Sequence, residues 1–193
     1  DFAAAIKWVE KRGQLMQVAV PQGNGAMAAI LGLTDEQVIK VCDQAAQGEV
    51  VQAVNFNAPG QVVVAGASAA VERAVDAAKQ AGAKRALMLP VSVPSHCSLM
   101  TEAAAELANS LKEIEINSPT IKVIHNVDVP SHESADAIRD VLAKQLYSPV
   151  RWVDTIQALS QSGVSSLVEC GPGKVLAGLT KRINREVTAL PVF

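Results

Sequence analysis

Phe2, Ile6, Val9, Gly13, Met16 and Val20 fall on roughly one face of a helical wheel, with Lys7, Glu10, Lys11 and Gln14 elsewhere, which predicts an amphipathic helix ending before Pro21. Arg12 sits at the edge of that face beside Gly13, which leaves room for its guanidinium to turn inward. The ordinary alternative is a solvated charge paired with a neighbouring acid. Next comes an apolar strand, Gly25 to Leu31. Thr34-Asp-Glu-Gln37 reads as a capping box opening a helix to about Gln47. Strands follow at Val50 to Asn55 and Gln61 to Ala65, separated by a turn at Asn57-Ala-Pro-Gly60. Ser68 is expected to cap a helix through Val71, Val75 and Ala78 to Gln80, and Ala83 to Leu89 a buried strand. The order β-α-β-β-α-β is that of the split βαβ, ferredoxin-like unit, with both helices on one face of an antiparallel sheet.

Beyond it the period changes. Leu99, Ala103, Leu107 and Leu111 mark a helix to about Lys112, and Ile121 to Ile124 a short strand. Asn126-Val-Asp128 forms a loop, and helices are expected at Ala135 to Leu146 and Val153 to Ser162. Ser165 to Glu169 reads as a buried strand, with Gly171-Pro-Gly-Lys174 turning into a last helix ending near Arg185. Alternating helices and short apolar strands predict an α/β body with a parallel sheet. Residues 1–22 and 90–193 are assigned to that body, and 23–89 to the inserted ferredoxin-like subdomain.

Composition narrows the partners. With 49% hydrophobic residues the 193-residue chain can build a globular core. A net charge of -2, and no basic block interleaved with its few aromatics, gives no reason to expect nucleic acid. Cys42, Cys97 and Cys170 are scattered and odd in number, so no disulfide framework or metal site is expected, and a reducing cytoplasm fits best. No apolar run approaches the roughly 18 residues that span a bilayer. The chain opens at Asp1-Phe2, inside a helical pattern, so the expectation is a piece of a longer protein.

The candidate chemical centre is Pro90-Val-Ser-Val-Pro-Ser-His-Cys97. The prolines hold His96 on stiff backbone between strand and helix, where an imidazole can titrate near neutral pH; equally, it can simply bond a carbonyl and cap the loop. Cys97 is a poor nucleophile for it, since adjacent extended residues point apart. No G-x-S-x-G elbow occurs in the sequence. Gly171 to Lys174 lacks the upstream glycine and the Ser/Thr of a phosphate loop, though its N-H groups are free to face an anion. His125 and His132 lack ligand spacing and are read as surface residues. Lys174, Lys181, Arg182 and Arg185 give the last helix a basic flank, either solvated or facing an acidic partner.

Seven segments in register carry a resemblance: Arg12-Gly-Gln-Leu-Met16, Gly25-Ala-Met-Ala-Ala29, Asn55-Phe-Asn-Ala-Pro-Gly-Gln61, Pro90 to Cys97, Asn126-Val-Asp128, Gln145-Leu-Tyr-Ser-Pro149 and Glu169-Cys-Gly-Pro-Gly-Lys174. Together they are similar to the bacterial malonyl-CoA:acyl carrier protein transacylases. The resemblance implies an α/β-hydrolase-like acyltransferase domain with an inserted ferredoxin-like subdomain. It implies ping-pong malonyl transfer through a serine, from coenzyme A thioester to the phosphopantetheine thiol of acyl carrier protein, in fatty acid biosynthesis, without a cofactor. His96 matches the general base, Arg12 the grip on the malonyl carboxylate, and Gln145 the position whose backbone carbonyl orients the histidine. Met16 and Asn57 match positions near the acyl chain. The family's serine elbow and oxyanion-hole segment are not in this sequence, so a separate N-terminal portion is an expected partner. A non-enzymatic ferredoxin-like binding module, or a family member with another acyl specificity, are the competing expectations.

Overall fold

A computed structural model describes residues 1–91 and 93–192; Ser92, within the His96 segment, lies outside the described residues. Helix α1 (Phe2–Val18) leads into β1 (Gly25–Leu31), α2 (Asp35–Ala46), β2 (Val51–Ala58), β3 (Gln61–Ala67), α3 (Ser68–Gln80) and β4 (Arg85–Met88). The strands lie in the order β2-β3-β1-β4 with every neighbouring pair antiparallel. One face of this sheet meets both helices. Ile30, Val62 and Val64 pack there against Val38, Val41 and Cys42 of α2 and Val71 and Ala74 of α3. On the opposite face Met27, Val54, Val63 and Ala65 close over Cys97, so the middle strands β1 and β3 are buried on both sides and read as near-continuous apolar runs. The capping box is present, with Gln37 N–H on Thr34 and Thr34 N–H on Gln37 Oε1. Arg73 of α3 donates to the carbonyls of Ala45 and Ala46, supplying the partners that the end of α2 lacks.

After β4 a 3-10 turn (Ser98–Met100) feeds α4 (Thr101–Leu111), followed by α5 (Ala135–Lys144), α6 (Trp152–Gln161), β5 (Ser166–Glu169), α7 (Val175–Ile183) and β6 (Thr188–Pro191). A second core joins α1 to this part: Met16, Met100, Ala103, Leu107 and Leu146, with Trp8, Leu15 and Tyr147 against them. The open edge of β2 is taken by Val150, whose N–H donates to Val54 and whose carbonyl accepts from Phe56.

Several expectations are corrected. Helix α1 buries Met16 but leaves Phe2, Ile6 and Val9 exposed by 81%, 52% and 56%, because apolar residues occur around most of the helix and periodicity does not say which stripe is covered. Strand β2 runs on to Ala58, so the turn is only Pro59-Gly60, with Gly60 at φ 69°, and Asn57 belongs to the strand. The register skips between Phe56 and Ala58, which puts Asn57 at an irregularity of the ladder. Ser68 does not cap α3; its hydroxyl donates to the Gly23 carbonyl at 2.6 Å and ties the helix start to the entry of β1. The fourth strand is short, and Leu87 and Met88 are exposed. Ile121 to Ile124 gives a single bridge, Ile124 with Ser131, where neighbouring polar turns leave no partner strand. The strand at Ser166–Glu169 pairs in parallel with β6, which sequence reading missed, and Val168 is exposed.

Gly66 is required by a close approach rather than by a turn. A Cβ there would lie 2.0 Å from the Val50 carbonyl oxygen, and backbone cannot move aside cheaply. Gly66→Ala is therefore expected to cost about 3 kcal/mol of stability, read as a lowered denaturation midpoint; an unchanged midpoint would contradict the β2–β3 register.

Candidate active site

Two residues at the end of α5 organise the candidate site. The His96 main-chain N–H donates to the Leu146 carbonyl at 2.9 Å, and His96 Nδ1 lies 2.7 Å from the Gln145 carbonyl oxygen. A carbonyl only accepts, so Nδ1 carries the proton and Nε2 presents its lone pair. Gln145 participates through backbone, as a helix C-terminus with unpaired carbonyls allows. His96 itself has φ 67°, in the left-handed region uncommon for a side-chain-bearing residue and costing about 1 kcal/mol. Strain of this kind persists only where surrounding contacts over-determine it.

Cys97 is one of those contacts. Its side chain is buried among Met27, Val54 and Val63, and its thiol donates to the Pro94 carbonyl at 3.1 Å. Burial pushes its pKa up, the wrong direction for a nucleophile. On the far side, the Ser98 N–H donates to Gln52 Oε1 of β2 at 2.7 Å. Gln52 and the Leu146 carbonyl went unnoticed in the sequence; neither a side-chain acceptor 46 residues away nor a backbone acceptor leaves a local signal.

Arg12 comes from α1. Its Nε is buried and without a hydrogen-bond partner among the described residues, and burial lowers its pKa. The cation is close enough to act on His96, whose pKa is lowered by burial first, with the Arg12 charge adding to the effect and the Gln145 bond opposing it. His96, Arg12 and the Gln145 backbone thus form one electrostatic unit. Met16, one helical turn beyond Arg12, is packed in the core with Met100 and Leu107. Asn57 is half-buried on β2, without a hydrogen bond to His96 or Arg12. A cleft of about 820 Å³ between α1, α3 and α4 has neither His96 nor Arg12 in its wall.

Other candidates change character. His125 and His132 are half-buried, their ring centroids 5.5 Å apart, and His132 Nε2 sits 2.8 Å from Asp128 Oδ2. They are a packed pair and not freely solvated residues. The N–H groups of Leu176 and Ala177 at the start of α7 donate to the Glu169 carboxylate, so these two are not free for an external anion. Lys174, Lys181, Arg182 and Arg185 are exposed, and Arg182 also reaches the Gln61 side chain. Among the described residues no cluster of His, Cys, Asp and Glu can hold a metal ion, and no helix is long and apolar enough to cross a membrane.

Comparisons place this geometry among known proteins. The model of the acyl transferase domain matches residues 2–191. The malonyl CoA-acyl carrier protein transacylase of Haemophilus influenzae is 60% identical over 192 residues, all of this chain but 62% of that protein. The crystal structure of an acyl carrier protein S-malonyltransferase from Vibrio cholerae superposes with a TM-score of 0.98 at 60% identity, covering 100% of this chain and 63% of that one. A malonyl-transacylase solved in complex with a type II PKS acyl-carrier protein superposes equally well, TM-score 0.98 at 56% identity, covering 100% and 62%. The chain therefore spans about three-fifths of the length of these relatives.

The lowered pKa of His96 has a stability signature. An unfolded histidine protonates near pH 6.5, whereas the folded one resists. The folded state is therefore unpenalised above that pH and loses stability as pH falls below it, until the folded pKa is reached. Arg12→Met removes the neighbouring cation, so the His96 titration midpoint, followed by 15N NMR of the imidazole, is expected to rise. A midpoint that stays put would separate Arg12 from the histidine.

Proposed function

We propose, given that the chain belongs to the acyl transferase domain family, that it supplies the base and the carboxylate grip of a malonyl-CoA:acyl carrier protein transacylase of fatty acid biosynthesis. The observation that carries this reading is a half-buried Arg12, its Nε buried and without a partner among the described residues, whose charge reaches a carbonyl-anchored His96. A guanidinium half removed from water, with a buried Nε unpartnered among the described residues, is costly, and a ligand carboxylate is the partner whose two oxygens match its fork. An acyl group ending in a carboxylate satisfies it; an acetyl group does not. A carboxylated acyl group such as malonyl is thus favoured over acetyl.

The nucleophile belongs to a segment outside this sequence, in which no G-x-S-x-G occurs. In the first half-reaction His96 Nε2 accepts the serine proton as the oxygen attacks the malonyl thioester carbonyl. The C–S bond then breaks, and the imidazolium returns the proton to the coenzyme A sulfur. In the second half-reaction Nε2 takes the proton of the carrier protein's phosphopantetheine thiol, whose sulfur attacks the acyl-serine ester, and the proton returns to the serine oxygen. Atoms and protons balance over the cycle, so no cofactor is required. The solved complex of a relative with an acyl-carrier protein supports that partner.

On this reading residues 23–89 form a ferredoxin-like subdomain, supported by the strand order β2-β3-β1-β4 under two helices on one face. Residues 1–22 and 90–193 belong to the large α/β-hydrolase-like domain of a cytoplasmic enzyme. The exposed apolar residues of α1 and of the β5–β6 pair, including Phe2, Ile6, Val168 and Leu190, are the seat of the further segment that the longer relatives carry. Met16 and Asn57 are assigned to the acyl side of the cleft.

In the protein extended to the length of its relatives, Arg12→Ala is expected to lower kcat/KM for malonyl transfer by roughly 100-fold, about 3 kcal/mol of charge-assisted binding. Acetyl transfer should be spared or improved. Equal losses with both thioesters would defeat the carboxylate role.

A further inference from the structure

The contacts that hold His96 in its left-handed conformation are unequal in kind. On the α5 side both acceptors are main-chain carbonyls, Gln145 for the ring and Leu146 for the N–H, and no substitution of a side chain removes a carbonyl. On the other side the chain must enter the 3-10 turn at Ser98, whose N–H is among those that a helix start leaves without a partner. Cys97, at the capping position, provides no side-chain bond to it. The missing acceptor comes from β2. Val51 and Ala53 point into the core under the two helices, so alternation sends Gln52 to the opposite face, where Cys97 and Leu99 pack. From there its Oε1 accepts the Ser98 N–H at 2.7 Å.

We propose that Gln52 is a positioning residue for His96: by accepting the Ser98 N–H it ties β2 to the peptide just beyond the histidine and locks the left-handed turn from the side opposite Leu146. The proposal rests on the reading of His96 as the base. Without that bond the burial of Cys97 alone holds the far side, the strained residue gains freedom to relax toward the extended region, and the ring swings away from the Gln145 carbonyl. Fastened on both sides, it holds its Nδ1–H on that carbonyl and keeps Nε2 aimed. Gln52 is exposed and packs no core, so its removal tests the bond rather than the fold. The same strand bonds Val150 through its edge, so one element indexes both the histidine turn and the segment following the Gln145–Leu146 carbonyls.

The test uses the whole protein labelled with 15N at histidine and serine, with His96→Gln assigning the ring resonances. In Gln52→Ala, exchange of the Ser98 amide is expected to accelerate roughly fivefold, the loss of one hydrogen bond. The His96 midpoint should move up toward an ordinary histidine as the ring gains water, with Arg12 the nearby charge unchanged, while the other histidines keep theirs. kcat for malonyl transfer should fall several-fold with KM for malonyl-CoA unchanged. Gln52→Glu retains an acceptor oxygen and is expected to restore Ser98 protection. Unchanged Ser98 exchange and an unchanged His96 midpoint in Gln52→Ala would overturn the proposal, as would failure of Gln52→Glu to restore protection. Loosened Ser98 and a shifted His96 with undiminished kcat would uphold the contact and overturn the reading of His96 as the base.

Discussion

Two adjacent carbonyls at the end of α5 are the constraint on which the site depends, because they hold one histidine by both its ring and its backbone. A helix C-terminus has several carbonyls without intrahelical partners, and here two of them are spent on His96. The arrangement fixes the tautomer, since only a protonated Nδ1 can meet a carbonyl, and it fixes the aim of Nε2. It also requires the chain to pass through φ 67° at His96, a conformation that stays populated only because Cys97 is buried under the sheet and Ser98 is bonded to β2. The four-stranded unit is therefore part of what holds His96, although none of its side chains is assigned to the proposed proton transfer.

The second constraint is the charge of Arg12. A guanidinium half removed from water, with a buried Nε unpaired, lowers its own pKa and disfavours a proton on His96. A carboxylate arriving at Arg12 offsets both effects. On the proposed function it neutralises the cation and removes the opposition to an imidazolium nearby, so carboxylate binding and the proton affinity of His96 would be linked through one ion pair. In the proposed reaction an acyl group without a carboxylate would leave the repulsion in place, and discrimination of this sort exceeds what the shape of an apolar pocket provides.

Much of this was legible in the chain. The short apolar runs, helical periodicity and turn residues between Gly25 and Met88 gave element order and type, because the middle strands are buried on both faces and each helix buries one face against the sheet. What failed was what depends on partners far away in sequence. Ser68 looked like a cap because it precedes a helix, yet its hydroxyl is used by Gly23, 45 residues earlier. The Gly-Pro-Gly-Lys turn looked open to an anion until Glu169 folded back on Leu176 and Ala177. The apolar stripe expected on α1 is not the covered one: the helix packs through Trp8, Leu15 and Met16, and Phe2, Ile6 and Val9 have nothing over them among the described residues. His96 and Arg12 stood out by local context and by resemblance; their electrostatic coupling, and the bond from Gln52, are tertiary facts with no sequence periodicity.

The choice of a carbonyl rather than a carboxylate behind His96 is consistent with the proposed chemistry. In serine hydrolases that cleave amides, a carboxylate stabilises the imidazolium long enough to protonate a very basic leaving amine. In the reaction proposed here the groups leaving and entering are thiols, with a pKa near 8.5 for an ordinary thiol, so the leaving sulfur needs little help from an acid. A carbonyl dipole orients the ring and raises its pKa without the full negative charge of a carboxylate, and burial, with the Arg12 charge, outweighs it and lowers the pKa. The histidine therefore stays neutral and ready to accept a proton at neutral pH, which both half-reactions require at their first step. A carboxylate in the same place would also compete for the Arg12 guanidinium, whose Nε has no partner among the described residues, and would remove the carboxylate grip proposed for it.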